Sequence, residues 1–121
     1  MTVLLLALAG GLGAAARFVL DGVITSARAW RSPIGTTTIN LSGSFLLGLL
    51  TGLAGGGLLP GSGLLVLGTG FLGGYTTFST AAFETVRLAE QRRWGAAVVH
   101  GLGQVVVATA LAALGYAVGS G

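Results

Sequence analysis

The chain has 121 residues, 53% hydrophobic and 7% charged, with a mean hydropathy of +0.91. A soluble domain of this length needs many more charged side chains to stay dispersed, so the composition specifies an integral membrane protein. With no cysteine there is neither a disulfide framework nor a thiolate metal site, and one histidine with three acids is too few for a protein-built divalent metal cage. The net charge of +3 carries six arginines and no lysine, clustered beside hydrophobic segments rather than along a polar face, which argues against nucleic acid.

The first apolar helix is expected over about residues 2–21. Arg17 and Asp21 lie one helical turn apart and can pair. Ala9, Gly13 and Ala16 share a face and allow a neighbouring helix to approach closely. A signal peptide cleaved after Ala14-Ala15-Ala16 is the alternative, disfavoured because nothing soluble follows that would need export. For Arg17 two readings stand side by side, snorkelling to the interface or a place at a pore entrance. Gly22 to Pro33 reads as an interfacial loop with Arg28, Arg31 and the aromatic anchor Trp30, and Pro33 suits the first turn of the next helix.

The second helix is expected over residues 34–53. Thr36, Asn40 and Ser44 share one face, as do Gly48 and Gly52 further along. An asparagine this deep needs partners: its amide either bonds a neighbouring helix or lines a pathway, where its NH2 is a neutral donor suited to an anion. Ala54 to Gly63 is a glycine-rich turn.

The third helix, residues 64–87, carries GTGFLGGYTTFSTAAFETVR from Gly68 to Arg87. A break near its middle, at Gly73 to Thr76, leaves carbonyls without intrahelical partners and able to face a cation. Beyond it Thr76, Thr80, Glu84 and Arg87 recur at helical spacing, with Phe78 and Ser79 beside them. Polar groups inside a hydrophobic span are tolerated only where protein buries them or where they line a cavity. After the loop Glu90 to Arg93 and the anchor Trp94, the fourth helix is expected over residues 95–118. Its polar pair, His100 and Gln104, either joins a pathway or satisfies a neighbouring backbone.

Each of these segments is long enough to span a hydrocarbon core of ~30 Å. The expected fold is therefore a single all-α transmembrane domain of four helices. All six arginines flank the loops after the first and third helices. The positive-inside rule then predicts one orientation, with both termini outside. Four helices rich in small residues enclose a wet path poorly, so an oligomer is expected, most simply a two-fold dimer.

Three stretches, GGLGAAARF at Gly10 to Phe18, IGTTTINLSGSFLLG at Ile34 to Gly48 and GFLGGYTTFST at Gly70 to Thr80, together resemble the Fluc, or CrcB, fluoride channels. The resemblance covers all four segments. It implies an antiparallel dimer with two pores in a microbial cell membrane, exporting fluoride passively from the cytoplasm. It further implies a structural sodium ion at the dimer centre, held by backbone carbonyls of Gly73 and Thr76. The fluoride path it implies includes Asn40, Phe78, Ser79 and Thr80, leading towards Glu84, and Arg17 matches the family's arginine near the vestibule. His100 and Gln104 stand as further path candidates from their own spacing.

One departure is visible. The family pattern has a second phenylalanine three residues after the first; here that position is Ala81, and the next ring, Phe83, points elsewhere on a helix. The one-sided arginines are also a poor match to a chain that inserts both ways. Both features favour pairing with an oppositely oriented homologue over an antiparallel homodimer. Two other functions compete. A proton-coupled small multidrug transporter needs a carboxylate buried within a span, which the first segment lacks; a non-conducting accessory subunit draws its support from Ala81. An enzyme is disfavoured, because no nucleophile has a paired base.

Overall fold

A computed structural model of the chain describes residues 1–28 and 34–121, and the side chains of residues 25–28, Ile34, Phe78, Ser79, Thr80 and Phe83 are outside that description. The proposed anchor Trp30, Arg31 and the helix-starting Pro33 thus lie outside the described residues. Among those described the fold is all helical, with no strand: α1 (Thr2–Arg28), α2 (Ile34–Gly55), α3 (residues 61–75), α4 (Phe78–Glu90) and α5 (Trp94–Ser120). Three stretches are long and apolar enough to cross a membrane: Thr2–Ile24 in α1, Gly35–Gly55 in α2 and Trp94–Ser120 in α5.

α1 continues past Asp21 to Arg28, through residues that the sequence reading gave to an interfacial loop. Only Gly22 in that stretch is a poor helix former, and a continued helix satisfies its own backbone groups near the membrane surface. The Arg17–Asp21 pair does not form. Arg17 Nε instead donates to the Gly74 carbonyl at 3.2 Å, tying α1 to α3.

Glycine allows the helices to come together. A Cβ on Gly48 would collide with the backbone of Ala112, and one on Gly52 with Tyr116 O; reciprocally, Gly115 faces Phe45 O and Gly119 faces Leu49 O. α2 and α5 therefore meet backbone to backbone along their length, the contact that dispersion between small-residue faces stabilises in lipid. α1 and α3 repeat the device: Gly13 lies against Phe71 O and Gly74 against Gly10 O. Between the two helix pairs sits a small core of Ile39, Leu72 and Tyr75, joined by Ala16, Leu20, Leu50 and Phe71. The large side chains point outward instead; Phe18 is 81% and Val99 71% exposed, as fits a chain whose solvent is hydrocarbon.

Two helices are irregular where the polar residues lie. In α3 the hydrogen bonds widen to a π register over Leu65–Leu72, with Gly73 N–H reaching Gly68 O. A short α turn, Gly73–Tyr75, follows, and the chain is then extended at Thr76 (φ −86°, ψ 156°) before α4 begins at Phe78. α5 has its own π segment at Val99–Gly103, which contains His100. Such widened turns in membrane helices commonly mark functional positions.

Candidate functional site: a hydrogen-bonded polar row

The extended residue Thr76 ends one helix without a regular start to the next, so the backbone around Thr77 needs partners from elsewhere. Asn40 of α2 supplies them. Its Oδ1 accepts from Thr77 N–H at 2.9 Å, and its Nδ2 donates to Thr77 O at 2.9 Å. A primary amide thus pairs with a peptide in the manner of a strand neighbour, satisfying both groups at the interruption. The second Nδ2 hydrogen goes to Gln104 Oε1 on α5 at 2.7 Å.

Gln104 continues the row. Its Nε2 lies 3.3 Å from His100 O and 3.4 Å from His100 Nδ1. Thr37 Oγ1, from the first turn of α2, reaches the same ring nitrogen at 3.4 Å. On the far side of the ring, His100 Nε2 faces Glu84 Oε1 of α4 at 3.9 Å, beyond hydrogen-bond length. Both atoms are buried without a hydrogen-bond partner. Thr36, His100 and Gln104 are the buried polar residues among those described. The row thus runs from Thr77 through Asn40, Gln104 and His100 to Glu84 and draws on α2, α4 and α5.

It forms part of the wall of an open groove of about 750 Å³. Asn40, Ser44, Thr69, Thr76, Thr77, Thr85, His100 and Gln104 give the groove its polar lining, and no arginine among the described residues reaches it. Chemically the lining is amide, hydroxyl and imidazole; the Asn40 amide and the Ser44, Thr76 and Thr85 hydroxyls donate within the chain, whereas the buried His100 Nε2 has no hydrogen-bond partner. Among the described residues no three histidines or acids converge as metal ligands.

From residue 4 to residue 116 the sequence matches the family model described as CrcB-like protein, Camphor Resistance (CrcB). The chain belongs to the CrcB-like family. Its relatives include a fluoride-specific ion channel FluC 1 of Leifsonia xyli subsp. xyli, 56% identical over 115 residues that cover 95% of this chain and 84% of the relative. A fluoride-specific ion channel FluC 2 of Cutibacterium acnes is 50% identical over 123 residues, covering 99% and 98% of the two chains. A FluC 1 of Geobacillus kaustophilus is 44% identical over 116 residues, 96% of each chain.

In this CrcB-like chain, the residues singled out in the sequence fall into separate groups. Asn40, His100 and Gln104 come together in one row, and Glu84 lies at its end, 3.9 Å from the imidazole Nε2. Gly73 and Thr76 line the groove beside them. Arg17 is elsewhere, against Gly74 O on the α1 side of α3. The side chains of Phe78, Ser79 and Thr80 lie outside the described residues. Of the two readings left open for Asn40, the bundle-forming bond is present in the single chain, and both its amide hydrogens are engaged there. Sequence reasoning missed Thr37 and Thr77. Thr37 is one position off the Thr36–Asn40–Ser44 face, and Thr77 contributes its backbone, which no side-chain pattern reports.

Proposed function

We propose that this chain is a subunit of a passive, fluoride-selective channel that exports fluoride from the cytoplasm through a microbial cell membrane. The observation that carries the reading is the row of neutral hydrogen-bonding groups along the groove, in a chain whose CrcB-like relatives are named fluoride-specific ion channels. Fluoride is small and tightly hydrated, so a pore must replace its water with donors yet release the ion at the far side. Amide NH2, hydroxyl and ring-edge groups are donors of that moderate strength. In this proposal the path includes Asn40, Phe78, Ser79 and Thr80, continues to Glu84, and takes in Arg17, His100 and Gln104. The multidrug-transporter and accessory-subunit readings gain no observation.

The proposal makes α3 and α4 together the fourth crossing, a helix broken at Thr76–Thr77. The large groove is then the surface that a second subunit covers, in an antiparallel dimer. Ala81, which lines that groove where the family pattern has a ring, and the arginines on one side of the membrane favour an oppositely oriented homologue as the partner. A structural sodium ion at the dimer centre fits the donors present. Gly73 and Thr76 stand at a helix end, where carbonyls lack intrahelical partners, and both border the groove. Hard carbonyl oxygens suit a monovalent cation. When bound, the ion would add positive potential beside the anion path.

The deciding experiment is fluoride efflux from liposomes containing this chain alone or with a homologue encoded beside it. Fluoride-selective efflux in either case, abolished by Phe78→Ile without loss of assembly, supports the proposal. No efflux from both preparations overturns it. Robust efflux from the chain alone overturns the unlike-partner part only.

A further inference from the structure

The buried row has a direction, and that direction selects the chemical form of the single histidine. A backbone N–H can only donate and a backbone C=O only accept. Because Asn40 contacts both groups of Thr77, its amide has one possible orientation: Oδ1 on the N–H, Nδ2 on the carbonyl. The remaining Nδ2 hydrogen points at Gln104, so the atom it meets must be Oε1. That orients the second amide and turns Gln104 Nε2, a pure donor, towards His100 O and His100 Nδ1. The Thr37 hydroxyl at the same nitrogen can also donate. A ring nitrogen facing a pure donor must accept. In the neutral imidazole the proton is then on the other nitrogen, Nε2.

We propose that the Thr77 peptide, acting through Asn40 and Gln104, holds His100 in its Nε2–H form, so that this N–H is a donor to the transported anion and Gln104 is its positioning residue. The inference rests on the fluoride-channel reading for the identity of the anion; the assignment of the proton does not. The donor so presented is unusual in being unused. The His100 side chain is 5% exposed, and its Nε2 has no hydrogen-bond partner, the nearest carboxylate oxygen being 3.9 Å away. Buried N–H groups are nearly always satisfied, so an orphan next to a polar groove marks a place where a ligand completes the bonding. A neutral N–H favours a compact, strongly accepting anion without the firm hold of a fixed cation. The opposite tautomer would present a lone pair there and repel it.

Because the chain contains one histidine, the proton can be located without assignment work. The experiment is nitrogen NMR of the full-length protein in bilayers, with histidine labelled by nitrogen-15 and spectra recorded at alkaline pH. The expected spectrum has a protonated Nε2 and an unprotonated Nδ1; the reverse pattern overturns the proposal. Gln104→Glu replaces a donor with an acceptor, which should draw the proton to Nδ1. Fluoride efflux should then fall by about 10- to 100-fold, the loss of one hydrogen bond to a charged group. An unchanged tautomer in Gln104→Glu, with or without a fall in efflux, overturns the positioning role. Should that variant not assemble, Gln104→Leu serves: the lock is gone and both tautomers should be populated, whereas retention of Nε2–H alone counts against it. If the unsubstituted chain carries no fluoride either alone or with the neighbouring homologue, the channel reading fails while the tautomer result still decides the relay.

Discussion

The amide of Asn40 makes three hydrogen bonds that join α2 to the helix interruption and to α5, and Asn40→Asp tests what it holds. The carboxylate keeps the bond from Thr77 N–H but cannot donate. Two bonds are lost, to Thr77 O at 2.9 Å and to Gln104 Oε1 at 2.7 Å, and both acceptors are left facing a negative charge. With ~1 kcal/mol for each lost bond and ~1–3 kcal/mol for each stranded acceptor, less ~1 kcal/mol for a charge-strengthened bond to Thr77 N–H, the destabilisation is about 3–7 kcal/mol. Denaturant unfolding in mixed micelles measures it. Hydrogen exchange localises it, with faster exchange expected in the first turn of α4. The same bookkeeping gives a sign test. Gln104→Leu should destabilise the parent but be nearly neutral, or rescue, in the Asn40→Asp background, because it removes one of the stranded acceptors. Strictly additive effects of the two substitutions would refute the picture of a shared bond.

Other consequences are simpler. Gly48→Ala places a methyl group against the Ala112 backbone and should destabilise by ~1–3 kcal/mol through overpacking, read as a lower unfolding midpoint. Gly11→Ala, where nothing lies within 4 Å, should be neutral or stabilise by ~0.5–1 kcal/mol, so equal behaviour of the two variants would contradict the backbone-to-backbone contact of α2 and α5. Tyr75→Phe removes a hydroxyl 3.1 Å from Ser42 Oγ and should cost ~0.5–1.5 kcal/mol in the same assay, with fluoride efflux from the conducting assembly retained.

Much of the membrane character is local and therefore legible in one dimension. Hydropathy over a window depends on composition alone, so α1, α2 and α5 announce themselves as spans. The face shared by Gly48 and Gly52 follows from helical periodicity, and these glycines do lie against α5. The extension of α1 to Arg28 was less legible: charge and glycine suggested a loop, but neither forbids a helix whose backbone gains its own hydrogen bonds. Arg17 shows the same limit. A partner one turn away on its own helix was visible in the sequence, while the Gly74 carbonyl it uses is 57 positions away and is a backbone atom.

The amino-acid sequence by itself determined that this is a membrane protein of packed helices, that it belongs with the CrcB-like channels, and that Asn40, His100 and Gln104 are polar groups in need of partners. Tertiary structure alone decided who those partners are. Thr77 bonds through its peptide, Glu84 meets His100 from a helix with no periodic relation to it, and Thr37 reaches the ring from outside the expected face. Hydropathy and periodicity are sums over neighbours in the chain, whereas hydrogen-bond direction depends on which atoms the packed helices bring together. For that reason the orientation of the row, and the proton position it implies for His100, emerges only once the helices are in place.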